Sequence, residues 1–467
     1  MPLSADISWN VRTDGAATNG GGFTAGASGT NHTLQAAAQY AVTDGVTDGS
    51  STITSATANF GTDVVGNVMY VAGGTGSITA GRYEITARNS ATSVTVDRST
   101  GLTAGTGVTL NIGGALSSPG LAAGVKVAGN DVTIMAGTYT VTTGSSNVDG
   151  GTINESTGGV ASPYNPSRWV GYQTTPGDGG TKPVIQINST GVTGVTMFNL
   201  SGGPMTLIEN LTLDGASKTS IRGVHDQSSG HVVFRNCKIM NMTNYGLLDQ
   251  NNDVSINCEI TGCSVSSAAR FIGLAVGCYS HDNTIAGFES FDGTFVNCIS
   301  ESNSGASTDG FYANGSTIRC FGCVAYGNGR GGFDMTGNTA RSALFVNCIA
   351  EGNTSYGFRA TATASNSHLI HCAGYNNTAG NYDGSNAPTL VNFVALTGSP
   401  FTNAAAGDFT LNATADAGAA CRAAGFPATI TGATGTSYRD IGAMQHQDAG
   451  GGGAKFFGAS MSGGFDC

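Results

Sequence analysis

The sequence predicts an all-β chain built around a β-helix, preceded by an N-terminal arm and a small antiparallel β-domain. Three observations carry this. Cysteine recurs at steps of 20 to 25 residues, as Cys237, Cys258, Cys278, Cys298, Cys323, Cys348 and Cys372. Asparagine follows five positions later in the last five copies, as Asn283, Asn303, Asn328, Asn353 and Asn377, and a Gly-Phe pair follows in four, as at Gly310 and Phe311. Within each copy, apolar residues alternate over only three to five positions before Asn, Gly or Ser cuts the run, as in Phe345 to Ile349. A repeat this short cannot bury its own apolar face and must stack on its neighbours. Runs of that length are strands closed by turns, with no room for a helix.

Stacking one coil per copy turns equivalent residues into columns. Cysteine, a small buried hydrophobe, is expected to form a column just inside a strand, from Cys237 to Cys372. Asparagine suits a left-handed corner, and stacked amides can bond from rung to rung. The phrases VNCISESNSGASTDGFYA, GCVAYGNGRGGFDM and VNCIAEGNTSYGFRA resemble the right-handed parallel β-helix repeat of the pectin-lyase-like superfamily. That resemblance implies the fold. It leaves activity open, because the superfamily holds lyases, hydrolases, phage tailspikes and proteins without catalysis.

Composition agrees and excludes other classes. Glycine numbers 73 while charged residues are 10% of the chain, the usage of many short strands with tight corners. A net charge of -11 argues against nucleic acid as a partner. No run of 18 apolar residues exists to span a membrane, and neither a basic stretch nor an apolar one follows Met1 as a signal peptide would need. Eleven cysteines without that signal read as reduced thiols. Cys320 and Cys323 have the CxxC form but no second pair nearby, and no metal or other cofactor is expected.

In chain order, residues 1–40 read as an arm, with Thr33 capping one helix over 34–40 and Gly20 to Gly22 as flexible chain. Such an arm is expected to dock on something else. Residues 41–114 read as the antiparallel β-domain, with strands near 51–54, 68–71, 83–86, 94–97 and 108–112. The wording of 66–75 followed by 81–85 resembles a module that recurs in structural proteins of tailed bacteriophages. The β-helix is expected over 115–447, opening at 127–139 and interrupted by a long excursion over 144–182 that holds Trp169. Three early strands near 184–187, 197–200 and 207–215 lead into the repeats. At the far end, 417–424 reads as a capping helix and 440–445 as a closing strand. Residues 448–467 form a Gly-rich tail in which Phe456, Phe457 and Phe465 are docking candidates.

A glycan-cleaving β-helix needs paired carboxylates on one face. Two positions after the repeat glycine stand Glu289, Tyr312, Asp334, Arg359 and Tyr382. Glu289 and Asp334, two rungs apart at about 9.6 Å, are the candidate inverting pair. Asp249, Asp292 and Asp309 are near enough in sequence to join that rim, but no cluster of Asp with Arg or Lys at coil spacing is evident. A second outward stripe stands three positions after the cysteine: His281, Glu301, Tyr326, Glu351 and Tyr375. His225 beside Asp226 reads as a corner hydrogen bond. For a protein that binds glycans without cutting them, Tyr312, Tyr326, Tyr375 and Tyr382 are the contact candidates.

The expectation is a non-enzymatic structural protein of a bacteriophage virion, a capsid decoration or a tail fibre or spike, docked on other virion proteins through its termini. A tailspike depolymerase acting on a bacterial surface polysaccharide and a glycan-binding adhesin stay open. A homotrimer would fit a tailspike, although no heptad repeat enforces one.

Overall fold

The computed structural model describes residues 3–445 except 5, 102, 128, 142–152, 155–166, 188–193, 201–204, 227–230, 249–251, 265–267, 306–307, 316, 337–341, 361–365, 384–387 and 427–438. The chain forms two compact units, residues 1–214 with 228–232, and residues 215–227 with 233–467.

In the first unit the expected arm is part of the solenoid. Ile7–Val11 pairs in parallel with Asp131–Met135, Trp9 facing Val132, and turns back antiparallel onto Gly22–Thr24. The indole of Trp9 is fully buried and donates to Asn130 Oδ1 at 3.0 Å. So the β-domain is an insertion between the first rung and the second. It is a closed antiparallel barrel of six strands, in the order Tyr40–Thr47, Thr52–Thr54, Ser93–Val96, Gly81–Ser90, Val68–Ala72 and Gly105–Ile112. Alternate side chains fill it, among them Ile53, Met69, Tyr83, Ile85, Val94 and Leu110. The five expected strands are present, and Tyr40–Thr47 closes the ring.

No helix forms over 34–40. The carbonyls a helix would spend internally are taken from outside: Gly114 N–H donates to His32, Ala115 to Gln35, Asn19 Nδ2 to Ala36 and Arg12 to Leu34. Gly20 to Gly22 is packed chain instead of flexible chain. A Cβ on Gly20 would sit 1.8 Å from the Val68 carbonyl, and Gly21 has φ +81°. The excursion is also shorter than expected. Ser167–Tyr172 pairs with Asp131–Met135 and buries Trp169 completely, and Ile153–Asn154 pairs with Phe198–Asn199. A helix absent from the sequence reading, Pro119–Val125, starts at Ser118, whose hydroxyl accepts from Leu121 N–H at 3.3 Å. The strand expected over 207–215 is two, Thr206–Glu209 and Thr212–Asp214, because Asn210 turns a corner at φ 56°.

The second unit is a parallel β-helix of three sheets. One coil runs through Phe311–Ala313 in the third sheet, Thr317–Phe321 in the first and Val324–Tyr326 in the second. The expected cysteine column is present but not inside a strand. From Cys237 through Cys258, Cys278, Cys298, Cys323 and Cys348 to Cys372, every member lies in the corner between the first and second sheets. The backbone explains the shift. The residue before each cysteine is left-handed, Asn236, Asn257, Gly277, Asn297, Gly322, Asn347 and His371 lying at φ +51° to +63°, and this ends the strand of the first sheet.

The two end members keep the corner geometry. Cys237 is 2% exposed and its Sγ donates to the Arg235 carbonyl at 3.5 Å within its own coil. Cys372 is 0% exposed, and its Sγ reaches both the Ile370 carbonyl at 3.6 Å and, one rung back, the Phe345 carbonyl at 3.4 Å. All ten described cysteines are buried thiols outside any disulfide. Burial holds the thiols of Cys278, Cys298, Cys320 and Cys348 above their ordinary range, which leaves them unreactive.

The asparagine column bonds as an amide ladder. Nδ2 donates to the next Oδ1 from Asn283 to Asn303, Asn303 to Asn328 and Asn353 to Asn377 at 2.8 Å, and from Asn328 to Asn353 at 3.0 Å. The left-handed corner belongs to the residue before it, as at Ser302 and Gly327. The repeat glycine supplies room rather than a bend. A Cβ on Gly332 would lie 2.6 Å from the Gly357 carbonyl and 2.9 Å from Asn353 Nδ2. Beside it the phenylalanines stack at rung spacing, Phe311 on Phe333 at 4.9 Å and Phe333 on Phe358 at 4.8 Å. Tyr382 ends this column, paired with Phe358.

Residues 396–426 and 439–445 fold back over the outer face of the second sheet. The hairpin Phe401–Asn403 with Asp408–Leu411, the single helical turn Gly418–Cys421 and Ile441 cover Ile299, Val324, Ile349 and Ala373. The closing strand expected at 440–445 is a plug of bends. Its Ile441 N–H donates to the Cys421 carbonyl and its Gly442 N–H to Asn347, so it bonds to no rung as a strand.

Candidate functional site

The outward column of the third sheet brings the sequence-predicted acids into one register. Arg270 pairs with Glu289, Glu289 with Tyr312, Tyr312 with Asp334 and Asp334 with Arg359. Tyr382 does not belong there. Phe358, not Arg359, is its partner, so the count from Gly380 runs one position out of phase and Tyr382 lies in the phenylalanine column against Phe393.

Neither acid of the candidate pair is free. Asp334 is 0% exposed; its Oδ2 lies 3.3 Å from both Arg330 Nη2 and Arg359 Nη1, and its Oδ1 accepts from Thr336 N–H at 2.6 Å. Glu289 is buried as well, and its Oε1 accepts from Asn314 Nδ2 at 2.6 Å. Tyr312, between them, is half-buried with the Arg330 guanidinium 5.8 Å from its ring centroid.

The structure adds Asp309, which the sequence reading offered only as a rim residue. Asp309 is 1% exposed and makes a two-point contact with Arg330, with Nε 2.9 Å from Oδ1 and Nη2 on Oδ2, while Gly331 N–H also donates to Oδ1. Arg330 therefore spans two acids on adjacent coils. Burial pushes the Asp309 carboxyl up to about 7, with Arg330 opposing and Asp334 adding to the rise. The Asp and Arg cluster that was not evident in the sequence thus exists, as Asp309, Arg330, Asp334 and Arg359. It was hidden because Asp309 and Arg330 precede the repeat glycine and the others follow it. Of the other rim residues, Asp292 is exposed at a corner and Asp249 lies outside the described residues. His225 is buried on the same sheet, paired with Leu248.

The second outward stripe lies on the second sheet, beneath the folded-back segment. Glu351 is buried and accepts from Ser399 Oγ at 3.1 Å; burial pushes its carboxyl up to about 7. Glu301 is buried too, with its carboxyl raised by burial and held by the Tyr279 hydroxyl. Tyr326 packs edge-on against Phe409 at 5.7 Å, and Tyr375 lies partly buried against the same cluster. At the stripe's edge, Glu259 lies between Lys238 Nζ at 3.0 Å and His281 Nε2 at 3.2 Å. Burial opposes charging of His281, but Glu259 and Asp282 outweigh it and raise its pKa.

The four tyrosines proposed as a glycan platform are therefore split over three environments. Only Tyr312 faces outward on the third sheet. Among the described residues no group of three His, Cys, Asp or Glu is placed to hold a metal ion. Phe456, Phe457 and Phe465 lie outside the described residues.

The family described as "Right handed beta helix region" matches residues 222–379, the stretch that carries the ladder. No curated protein sequence matches the chain. Among solved structures, pectate lyase Pel9A is similar at a TM-score of 0.51 and 18% identity, over 70% of this chain and 90% of that one. The catalytic unit of a GH87 α-1,3-glucanase from Streptomyces thermodiastaticus gives 0.32 at 11% identity, over 77% and 87%. The mannuronan C-5 epimerase AlgE6 A-module of Azotobacter vinelandii gives 0.30 at 15% identity, over 58% and 91%. With the family match and the first of these structures, the solenoid is a right-handed parallel β-helix with a small closed barrel inserted near its start.

Proposed function

We propose that the chain is a non-enzymatic structural protein of a bacteriophage particle, in which a rigid β-helix is the working part. One observation carries the non-enzymatic reading: Asp334, the best-placed acid of the candidate pair, is fully buried and engaged by two arginines of its own chain. A carboxylate so buried and held is not presented to a sugar or a water. The particle setting is supported by the wording of 66–75 and 81–85, the phage-type module, which falls in the inserted barrel.

Two measurements test it. Purified protein is incubated with a panel of bacterial capsular and cell-wall polysaccharides and read for new reducing ends and unsaturated products, and particles of the encoding phage are analysed by mass spectrometry. No cleavage, with the chain present in particles, is expected. Cleavage that Glu289→Gln and Asp334→Asn both abolish sinks the non-enzymatic reading, and absence from particles sinks the setting.

A depolymerase is the second reading, favoured by Asp309. Burial pushes this carboxyl up to about 7 against its own contact with Arg330, and a raised carboxyl beside a second acid is how glycosidases set acid and base. In that case Asp309→Asn abolishes cleavage as completely as Asp334→Asn.

A further inference from the structure

The hairpin of Phe401–Asn403 and Asp408–Leu411 is held on the second sheet mainly by apolar contact. Phe401, Ala404, Phe409 and Leu411 share one cluster with Ile299, Val324, Ile349 and Ala373, which stand in one column on four successive rungs. Among the described residues, 398–411 makes one polar contact with a rung, from Ser399 Oγ to Glu351 at 3.1 Å. The far side of the fold-back segment is tied down differently. Phe426 exchanges two hydrogen bonds with the Asn347 side chain, His371 Nδ1 lies 2.6 Å from the Ala424 carbonyl, and Gly442 N–H donates to the Asn347 carbonyl. The hairpin can therefore lift while that side stays anchored.

Glu351 is 6% exposed, and among the described residues no Lys, Arg or His forms an ion pair with it. On its own sheet it faces Tyr326 and Tyr375 on the adjoining rungs, with Glu301 beyond Tyr326 and held by the Tyr279 hydroxyl. From the segment above come the buried thiol of Cys421, Asp440, whose Oδ1 accepts from Ala423 N–H at 2.8 Å, and Arg422, which gives Nη2 to the Leu411 carbonyl at 2.6 Å. A charged Glu351 has only the Ser399 hydroxyl to answer it.

We propose that residues 398–411 form a flap, latched to the solenoid through Ser399 and Glu351, which opens as pH rises and uncovers the apolar strip of Ile299, Val324, Ile349 and Ala373. The sign follows from where the proton is held. In the closed state burial raises the Glu351 carboxyl from 4.5 to about 7, and in the open state water returns it to its ordinary value. The latch is complete below about pH 4.5, weakens as pH rises and levels off past 7, where opening is about a hundredfold more frequent once residual solvent is discounted. The flap stands whether or not the particle reading holds.

The test is amide hydrogen exchange of 398–411 in the full chain, wild type against Glu351→Gln, which keeps an acceptor for Ser399 and carries no charge. Comparing the two at one pH cancels the base catalysis of exchange itself. The wild type is expected to exchange less than about fivefold faster than the variant at pH 5 and about a hundredfold faster at pH 8. At pH 8 the wild-type flap also exchanges at least about tenfold faster than the coil strand Thr317–Phe321, because it opens on its own. Wild type alone gives a second reading: divided by the rates of an unstructured peptide, opening of 398–411 rises between pH 5 and 7. A ratio at pH 8 no larger than at pH 5, opening that does not rise in the wild type, or a flap that exchanges no faster than the coil strand each overturns the proposal.

Discussion

The outer faces of the second and third sheets start from the same problem and meet it differently. Each carries acidic side chains in register on a surface where water would normally solvate them, and each has lost that water. On the second sheet, Glu301 and Glu351 are roofed by residues 396–426 and 439–445 and answered by hydroxyls of Tyr279 and Ser399. On the third, Asp309 and Asp334 are answered by Arg330 and Arg359. On both faces burial favours a carboxyl that keeps its proton, and the partners oppose it, through hydroxyl hydrogen bonds on the second sheet and through the guanidinium charge of Arg330 on the third. The lesson is that a row of acids on a β-helix specifies a site only once its partners are known.

The comparison breaks most sharply at Arg330. Replacing it by methionine leaves two buried carboxyls with one guanidinium, and urea unfolding at pH 8 is expected to show a loss of about 3–5 kcal/mol. The loss shrinks toward pH 5, because Asp309, raised from 3.8 to about 7 by burial, then carries a proton. A loss of the same size at both pH values would mean that packing, not charge, is what Arg330 supplies.

The inner ladder provides a reference for both faces. Asn328→Ala leaves Asn303 Nδ2 and Asn353 Oδ1 without their buried partner, at about 2–4 kcal/mol, with no dependence on pH between 5 and 8. A pH-dependent effect there would show that the ladder is coupled to the outer acids.

On the roofed face the sign reverses. Burial raises Glu351 from 4.5 to about 7, so the folded state binds the extra proton. Its contribution is complete below about pH 4.5 and is lost as pH rises through 7. Glu351→Gln is therefore expected to stabilise the protein at pH 8 by about 2 kcal/mol, discounted for residual solvent, and to be neutral at pH 4. Limited proteolysis of 396–426 across that range reads the same change locally. Destabilisation at pH 8 would mean the charged form has a partner under the roof.

The smallest effect is expected at Tyr312, whose hydroxyl is not needed to neutralise the acids on either side. Tyr312→Phe should move the unfolding midpoint by no more than about 0.5 kcal/mol. A larger shift would make the ring part of the Arg330 network.

Sequence alone determined the periodic part of this protein. The cysteine column from Cys237 to Cys372, the asparagine and phenylalanine columns and five barrel strands were legible, because each depends on residues within one coil or one hairpin. It also placed Glu289, Tyr312, Asp334 and Arg359 on one line, since register carries over wherever the coil length holds. Tyr382 escaped because the count from its glycine shifts by one, which in a strand moves a side chain to the other face. Only the tertiary structure decided that the cysteines sit at a corner, that Ile7–Val11 is the first rung, that Asp309 and Arg330 complete the acidic face, and that the segment holding Ser399 roofs Glu351. Most of those contacts join residues that no repeat relates, 121 apart for Trp9 and Asn130 and 48 apart for Ser399 and Glu351. A periodic pattern fixes which residues share a column. What covers that column depends on where the chain goes after it leaves the coil.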